Sequence, residues 1–403
     1  MDCMKDNFDF VIIGAGIIGL NIALELRARY PDSSIALMDK ESTLAAHGSG
    51  RNSGVLHAGF YYTRDSFKAR FCRDGNAALT RFCEERGLPI KKCGKLVAAR
   101  NESELSGLDV LLQRGRENGI ELEMVDEARA REIEPRIKTL DRALWSPTTS
   151  TIDPGSVMSA LADEAAEKDI SLWLGNPYIK RKNDSIQTAY GEVGFGYLVN
   201  AAGLHADHIA RDFGFARDLR ILPFKGLYLY RTARPEDLRT HVYPVPDLAY
   251  PFLGVHFTLA VDGRAKIGPT AIPAFWRENY GGMRNFSLPE FLRTAGDEAM
   301  LMLRSDFDFK KLALTETRKR FRRNLVRRAA TLLEGVDEAD FTEWGRPGIR
   351  AQLYDVRKRK LVMDFCTRGD EKSFHVLNAV SPALTASMPF SAYCCDRMGE
   401  LIS

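Results

Sequence analysis

The sequence predicts an α/β protein in which a parallel, nucleotide-binding sheet is interleaved with an α+β part built on an antiparallel sheet. Three observations predict this class. A strand, a glycine turn and a helix open the chain between Phe8 and Tyr30. A polar, glycine-rich stretch follows from His47 to Tyr62, and strand-like runs separated by turns fill residues 221–267. With 403 residues, the chain is long enough for two domains.

The first element is a strand–turn–helix unit with the glycine spacing of a dinucleotide fingerprint. Phe8–Ile13 reads as a buried strand and Leu20–Tyr30 as a helix whose N-terminus faces a phosphate. A second strand, Ile35–Met38, ends at Asp39, where a carboxylate is placed to bond an adenosine ribose. The alternative is a glycine turn in an ordinary βα unit. The candidate cofactor contacts here are Gly14, Gly16, Ile17, Ile18, Gly19, Asp39 and Lys40.

The stretch from His47 to Tyr62 indicates which dinucleotide is bound. It combines glycines, hydroxyls, an amide, an arginine and two histidines. A nicotinamide-binding unit has no use for such a stretch. A cofactor with a pyrophosphate and a flat tricyclic ring needs close backbone and polar groups along the ring, which fits FAD. The candidate cofactor contacts are Ser49, Arg51, Asn52, Ser53 and Gly54.

The remaining elements follow from periodicity and turn residues. The predicted helices are Ser66–Gly87, Glu102–Asn118, Gly155–Lys168 after Pro154, a helical region from Leu288 to Leu333, and a last helix from about Pro382. The predicted strands are Lys95–Ala99, Glu121–Val125, Gly196–Asn200, Leu227–Tyr230, Phe252–Leu259, Ala265–Ile267, Arg350–Tyr354, Lys360–Phe365 and Phe374–Leu377. The runs between residues 221 and 267 favour an antiparallel sheet.

Composition excludes several classes of function. The net charge of +3 argues against a nucleic-acid partner, and the seven scattered cysteines show no CxxC pair and no metal-ligand spacing. We therefore expect reduced thiols, a cytoplasmic protein and no metal site. The apolar run from Phe8 to Leu26 contains charges and glycines and lacks a cleavage site, so we expect no targeting segment.

Several motifs, taken in order, resemble the L-2-hydroxyglutarate oxidase/dehydrogenase branch of the D-amino-acid-oxidase-like (DAO) FAD enzymes. The resemblance runs from about residue 8 to residue 395. The motifs are the Gly14–Gly19 turn, Asp39, Ser49–Gly59, Pro223–Gly226, Tyr243–Pro246, Phe252–Phe257, Gly268–Pro269, Gly348–Gln352 and Asn378–Ala383.

This resemblance implies a Rossmann-type, glutathione-reductase-like FAD-binding domain assembled from residues 1–87, 146–218 and 341–403. Residues 88–145 and 219–340 would form the interleaved substrate domain, an α+β unit on an antiparallel sheet. The implied reaction is oxidation of a 2-hydroxy acid, with L-2-hydroxyglutarate the first choice, to the 2-oxo acid. Hydride would pass to the flavin, and electrons then to oxygen or a membrane quinone. Further implied cofactor contacts are Ala202, Gly203, Gly348, Arg350, Ser381, Pro382, Ala383, Leu384 and Thr385.

The chemistry of such a reaction needs a base for the hydroxyl proton. His256, on an apolar strand, is the first choice because the pKa of histidine is near working pH. A satisfied core histidine is the usual alternative for such a position. His57 is the second candidate, and it could instead orient the flavin or contact the substrate.

The carboxylates of the substrate need cations. Arg350, Arg346 and Lys225 are the candidates, since an arginine fork binds a carboxylate with two parallel bonds and a lysine acts as a point charge. The alternative for each is an ion pair between domains. Tyr61 and Tyr228 could add hydroxyl donors, although aromatics at strand spacing are more often part of a core.

The start of the last helix, Ser381 to Thr385, could hold negative charge that develops on the flavin pyrimidine ring. The alternative is an ordinary helix that begins at a proline.

A basic stretch from Lys310 to Arg328 has nine basic residues against one acid, Glu316. With the interleaved Leu312, Leu314, Phe321, Leu325 and Val326, it predicts a basic amphipathic helix able to lie on the inner face of an anionic membrane. A solvated charged face is the more usual explanation of such a run.

Two other functions stay open at this point. One is an amine or amino-acid oxidase of the same fold, which would need to bind a neutral amine. The other is a flavin-binding assembly or sensor protein without catalysis, which is disfavoured because His57, His256 and Arg350 are all present.

Overall fold

A computed structural model describes residues 6–232, 238–247, 254–304, 309–379 and 381–402; the side chains of 302, 304 and 309–312 lie outside this description. The helices are α1 Ile17–Arg29, α2 Phe67–Glu85, α3 Glu102–Glu117, α4 Glu127–Ile133, α5 Pro154–Glu167, α6 Ala206–Asp212, α7 Leu288–Arg304, α8 Phe309–Arg318, α9 Arg322–Ala329 and α10 Ala383–Ile402.

The strands of the first half of the chain are β1 Asp6–Ile13, β2 Ile35–Met38, β3 Val55–Leu56, β4 Ile90–Lys91, β5 Lys95–Ala98, β6 Glu123–Asp126, β7 Arg142–Ser146, β8 Ser150–Ile152, β9 Ser171–Trp173, β10 Tyr178–Lys182, β11 Ser185–Thr188 and β12 Gly191–Asn200. Those of the second half are β13 Leu219–Gly226, β14 Leu229–Arg231, β15 His241–Pro244, β16 His256–Leu259, β17 Ala265–Gly268, β18 Ile272–Pro273, β19 Phe341–Trp344, β20 Gly348–Asp355, β21 Lys360–Leu361, β22 Cys366–Gly369 and β23 Ser373–Asn378.

The first sheet contains the predicted nucleotide-binding unit. Its strand order is β10-β11-β12-β1-β2-β9, with β23 beside β12 and β22 beside β23. The pairs of β1 with β12 and β2, of β2 with β9, and of β12 with β23 are parallel. Helices α1, α5 and α10 cover one face with apolar side chains, and α2 packs on α10. The parallel sheet predicted from the opening motif is confirmed.

The glycines of the opening turn are required by close backbone contacts. Gly14 has a φ of +105°, and a Cβ there would lie 2.5 Å from the carbonyl oxygen of Ala201. A Cβ on Gly19 would lie 1.9 Å from the carbonyl oxygen of Gly14. Side chains at either position would push helix α1 away from the strand ends, so this turn fixes the geometry of the cofactor end of the sheet.

The second sheet has the order β19-β14-β17-β16-β15-β5-β7-β6 and is antiparallel except for the parallel pair of β15 with β5. One of its faces is apolar and packs against α9 and the following turn through Leu325, Val326, Ala329, Leu332 and Leu333. The residues of that face are Leu96, Ala98, Val242, Phe257, Leu259, Ala265, Ile267 and Leu229. Because side chains alternate along a strand, the opposite face carries the intervening residues.

Two smaller sheets connect the large ones. Strands β18-β13-β20-β21 form the third sheet, and β3-β8-β4 form the fourth. In the third sheet, Phe224 of β13 is the register partner of Arg350 of β20, and Lys225 is the partner of Ile349.

Most predicted elements lie within a residue or two of their observed bounds. The run Leu227–Tyr230 is a strand only from Leu229, and the run Lys360–Phe365 only at residues 360 and 361. Of the run Phe252–Leu259, residues 252 and 253 lie outside the described residues, and the strand begins at His256.

The predicted domain division remains a prediction, but strand pairing bears on one boundary. Strands β19 and β20 pair with β14 and β13, which belong to residues 219–340. These two strands come from the stretch 341–403 that the division assigns to the FAD-binding domain. We therefore propose that the boundary falls after β21 rather than at residue 341.

The prediction of one amphipathic helix over Lys310 to Arg328 is wrong. The segment forms α8 and α9, and it turns at residues 319–321. Leu325 and Val326 are buried in the core beneath the second sheet, and Lys319 forms a buried ion pair with Glu316. These apolar side chains pack against the protein itself and are not available to a lipid surface. Within the described ranges, no helix is both long and apolar enough to cross a membrane.

Helix α2 should be sensitive to any side chain at Gly75, because a Cβ there would lie 1.9 Å from the carbonyl oxygen of Thr385 at the start of α10. We expect Gly75→Ala to lower the free energy of unfolding by about 1–3 kcal/mol through overpacking. Urea unfolding followed by circular dichroism measures this. Gly296→Ala is the matched control, since Gly296 is exposed on α7 and its Cβ would meet nothing within 4 Å. It should raise stability by up to about 1 kcal/mol; equal stability of the two variants would contradict this packing.

Candidate active site

A cavity of about 680 Å³ lies at the carboxyl ends of the parallel strands of the first sheet. It extends from the opening turn to the beginning of α10 and is bounded on the other side by β13 and β20. The predicted cofactor contacts that line it are Gly14, Gly16, Ile17, Ile18, Asp39, Lys40, Ser49, Arg51, Asn52, Ser53, Ala202, Gly203, Gly348, Arg350, Ser381, Pro382, Ala383, Leu384 and Thr385. Gly19 and Gly54 do not line it. The structure therefore gathers segments from four distant parts of the chain around one cavity.

One end of the cavity has the properties of a phosphate site. The backbone amide of Ala15 donates to Asp39 Oδ2 at 2.8 Å, and that of Ile17 donates to Ser49 Oγ at 2.9 Å. These bonds tie the turn to the second strand and to the polar stretch. The N-terminus of α1 opens on the cavity, and its amides and dipole favour an anion.

The other end of the cavity is formed by the first turn of α10. The backbone amide of His57 donates to Thr385 Oγ1 at 3.1 Å, and this hydroxyl donates to the carbonyl oxygen of Val55 at 3.2 Å. The polar stretch is thereby held against the helix. Two helix N-termini, small residues at Ala202 and Gly203, and an acid at the nucleotide end fit an elongated dinucleotide with a flat ring system.

His57 and His256 occupy different positions. His57 lines the cavity, and burial together with the positive charge of Lys95 places its pKa well below the usual range. His256 does not line the cavity. Its Nδ1 lies 2.8 Å from the carbonyl oxygen of Gly254, its ring stacks on Tyr243 at 3.6 Å, and burial lowers its pKa to about 3. The geometry thus favours His57, the second candidate of the sequence analysis, as the histidine that meets a ligand.

The three predicted carboxylate-binding cations also separate. Arg350 lines the cavity, and burial lowers its pKa. The ammonium of Lys225 donates to Asn279 Oδ1 at 2.9 Å, while its neighbours Phe224 and Gly226 line the cavity. Arg346 is exposed and outside the lining. Of the two tyrosines, Tyr228 lines the cavity and Tyr61 lies outside the lining.

Sequence reasoning missed three lysines near the cavity, of which Lys95 and Lys266 are buried and Lys68 is half-buried. Lys266 donates to the carbonyl oxygen of Ser53 at 3.0 Å, and burial lowers its pKa to about 8. Lys68 lies beside the ring of Tyr62, and burial and Arg350 lower its pKa to about 8. Lys95 is fully buried, and burial lowers its pKa to about 7. The sequence contained a signal for Lys95 and Lys266, because each is a charged residue next to apolar residues within a predicted strand.

A segment from Trp276 to Asn285, also not predicted, covers the nucleotide end of the cavity. Glu278 forms an ion pair with Lys40 at 2.8 Å, and its Oε1 lies 2.9 Å from His205 Nε2. The hydroxyl of Tyr280 lies 2.6 Å from His47 Nδ1, and its ring lies under the guanidinium of Arg51, 4.4 Å from the centroid. Arg51 also donates to the carbonyl oxygens of Ala46 and Pro347. Its role in the structure is to join the polar stretch to this segment and to β20.

Comparison with known proteins agrees with this geometry. The family described as FAD dependent oxidoreductase, DAO, matches residues 9–397. The chain belongs to this family. FAD is therefore its cofactor, in agreement with the cradle described above.

Three relatives of this DAO protein are curated as L-2-hydroxyglutarate dehydrogenases. That of Indibacter alkaliphilus is 35% identical over 400 residues, covering 97% of this chain and 98% of that protein. That of Escherichia coli K12 is 34% identical over 408 residues, covering 98% and 94%. The mitochondrial protein of Homo sapiens is 35% identical over 422 residues, covering 98% and 89%.

Solved structures show the same fold. An L-alpha-glycerophosphate oxidase from Mycoplasma pneumoniae with FAD bound gives a TM-score of 0.78 at 22% identity, covering 98% of this chain and 95% of that one. A glycine oxidase from Geobacillus kaustophilus gives a TM-score of 0.72 at 19% identity, covering 98% and 95%. The predicted fold class of a DAO protein is confirmed.

Proposed function

We propose that this protein oxidises L-2-hydroxyglutarate to the 2-oxo acid with FAD held in the cavity. The relatives that share about 35% of its residues over nearly their whole length carry the name L-2-hydroxyglutarate dehydrogenase. The chemistry of the cavity supports the same substrate class, because the flavin end presents a neutral histidine together with buried positive charge.

The distribution of charge around the cavity is the observation that carries this proposal. Among the described lining residues, the only carboxylates are Asp39 and Asp212, and Asp39 belongs to the nucleotide end. The end with His57 and Tyr228 has Arg350 in its wall and Lys266 one layer behind. A cavity wall with this excess of positive charge favours an anionic ligand, since an arginine fork binds a carboxylate with two parallel bonds.

The same charge distribution favours a hydroxy acid over an amino acid. At neutral pH an amino acid carries an ammonium group, which the positive wall would repel, whereas a hydroxyl is neutral. The glycine oxidase structure shares only the fold at 19% identity. The amine or amino-acid oxidase alternative thus has no feature of the cavity in its favour.

Different residues of the chain bind the cofactor, orient the substrate and accept its proton. We assign the cofactor to the contacts that line the cavity, with α1 at the pyrophosphate and the first turn of α10 at the ring. When bound, FAD accepts a hydride from the carbinol carbon. Arg350 binds the adjacent carboxylate and so orients that carbon. His57 is neutral because its pKa is low, and it takes up the hydroxyl proton as the C–H bond breaks.

His57→Asn should lower the rate constant of flavin reduction by L-2-hydroxyglutarate about 100- to 10,000-fold, because the proton acceptor is lost. His256→Asn is the matched control, since His256 bonds to Gly254 and stacks on Tyr243 without lining the cavity. Its rate constant should stay within about tenfold of the wild type. Anaerobic stopped-flow spectroscopy at saturating substrate measures both, with bound flavin counted by absorbance. A larger loss in His256→Asn than in His57→Asn would contradict the assignment.

The proposal also covers the electron acceptor and a contact of the protein with the membrane surface. The electrons would pass to oxygen or to a membrane quinone. A peripheral contact with an anionic membrane is supported by exposed arginines at α9 and by exposed apolar side chains beside them. The arginines are Arg320, Arg322, Arg323, Arg327 and Arg328, and the apolar residues are Leu303, Leu314 and Phe321.

This contact would be electrostatic, so it should depend on salt. We expect the holoenzyme to sediment with vesicles that contain anionic lipid at low salt, and to be released at high salt. A variant with Arg322→Glu, Arg323→Glu and Arg327→Glu should lose this binding. Equal amounts of wild type in the supernatant with anionic and with neutral vesicles at low salt would refute the membrane contact.

A further inference from the structure

The face of the second sheet toward residues 47–62 carries polar residues among apolar ones. The register pairs Lys95 with His241, and Thr258 with Lys266, so these side chains share the face opposite to the apolar one. The ammonium of Lys95 lies 4.7 Å from the ring centroids of Phe60 and Tyr61. That of Lys266 reaches Ser53 on the same stretch. This face is therefore a buried layer between the sheet and the cavity.

Lys95 is the unusual member of this layer. Its side chain is fully buried, and its ammonium has no hydrogen-bond partner among the described residues. A third ring, that of Tyr243, lies 4.9 Å from the ammonium. Three aromatic faces stabilise a cation in part, but they accept none of its three N–H bonds in the ordinary sense.

The two tyrosines of this enclosure have the same property. The hydroxyls of Tyr61 and Tyr243 are buried and make no hydrogen bond of good geometry in the described part of the chain, with the hydroxyl of Thr258 the polar neighbour of Tyr243. One ammonium and two hydroxyls thus share an enclosure in which donors outnumber acceptors. Leaving such groups without partners is costly, and a carboxylate, with two oxygens that accept about four hydrogen bonds, satisfies them together.

The position of the enclosure relates it to the reacting end of the cavity. His57 lines the cavity, and Lys95 is the charged group that lowers the pKa of His57 most. Tyr243 stacks on His256, the neighbouring histidine. An acid oxidised at His57 is therefore within the electrostatic reach of Lys95.

We propose that Lys95, with the hydroxyls of Tyr61 and Tyr243, forms the subsite for the second carboxylate of the substrate and so selects a dicarboxylate over a monocarboxylate. This inference rests on the proposed function. It assigns a specificity-determining role to a lysine that does not line the cavity. The proposal therefore includes a rearrangement of these buried side chains that connects the enclosure with the cavity when the dicarboxylate binds.

The ionisation of Lys95 gives the subsite a second measurable property, which is proton uptake on binding of the substrate. Burial lowers the pKa of Lys95 to about 7, against an opposing effect of the nearby Cys72, so the neutral amine predominates at pH 8. Binding of a carboxylate needs the ammonium form, because only the charged form compensates the anion. The pKa of Lys95 therefore rises when the dicarboxylate binds, and the protein takes up a proton from the buffer.

The test compares Lys95→Met with the wild-type holoenzyme, and Lys95→Gln is the second variant should the first fail to fold. The ratio of kcat/KM for L-2-hydroxyglutarate to that for L-2-hydroxybutyrate should fall by about 30-fold or more, as expected when a buried charge pair is broken. Lys266→Met is the matched control. The ammonium of Lys266 donates to Ser53, which lines the cavity, so its loss should lower both kcat/KM values and leave their ratio within about threefold.

Calorimetry provides a readout that does not need turnover. Glutarate and butyrate are titrated into the holoenzyme at pH 8 in two buffers that differ in heat of ionisation. The wild-type protein should take up about one proton more when it binds glutarate than when it binds butyrate. This difference should vanish in Lys95→Met. Equal proton uptake for the two ligands in the wild type would overturn the inference, as would an unchanged kcat/KM ratio in the variant. Failure of the wild type to oxidise L-2-hydroxyglutarate would instead refute the proposed function, and the titrations would still decide the subsite.

Discussion

The removal of several cationic side chains from water around the cavity is the constraint on which the active site depends. Lys68, Lys95, Lys266 and Arg350 all have their pKa lowered by burial. Burying such charges opposes folding, because each loses its hydration. The cost is tolerable because the surrounding layers are extensive. The second sheet packs its whole apolar face against α9, and the first sheet is covered by α1, α5 and α10. A ligand that brings negative charge relieves this cost, so the folded protein is prepared for an anion.

The cofactor cradle rests on a different kind of constraint, which is steric. Gly14 and Gly19 allow the strand, the turn and α1 to approach within contact distance, and Gly75 allows α2 to approach α10. Both helix N-termini then open on one cavity. These requirements are local in the sequence, which explains why the strand–turn–helix unit, Asp39 and the polar stretch could be predicted from residue spacing alone.

The rest of the site could not be predicted in this way, because it depends on register and on contacts between distant segments. His256 lies on a strand that the sequence identifies, but only the tertiary structure shows that its ring stacks on Tyr243 and does not line the cavity. Lys225 was predicted to bind a carboxylate, and only the structure shows that its ammonium also bonds to Asn279. Lys95 is one basic residue among many in the sequence, and its isolation results from three rings contributed by Phe60, Tyr61 and Tyr243. The basic stretch was misread as one helix, because the chain turns at residues 319–321 and Leu325 and Val326 face inward.

The central claim is that this site oxidises a dianionic 2-hydroxy acid. The most direct test is to mix the holoenzyme anaerobically with each of several compounds in turn. Reduction of the bound flavin is measured as the loss of its visible absorbance. The compounds are L-2-hydroxyglutarate, D-2-hydroxyglutarate, L-lactate, L-malate, glycerol 3-phosphate, glycine and L-glutamate. The account predicts that L-2-hydroxyglutarate reduces the flavin fastest and that glycine and L-glutamate leave it oxidised. Rapid reduction by an amino acid, with no reduction by any of the hydroxy acids, would contradict it.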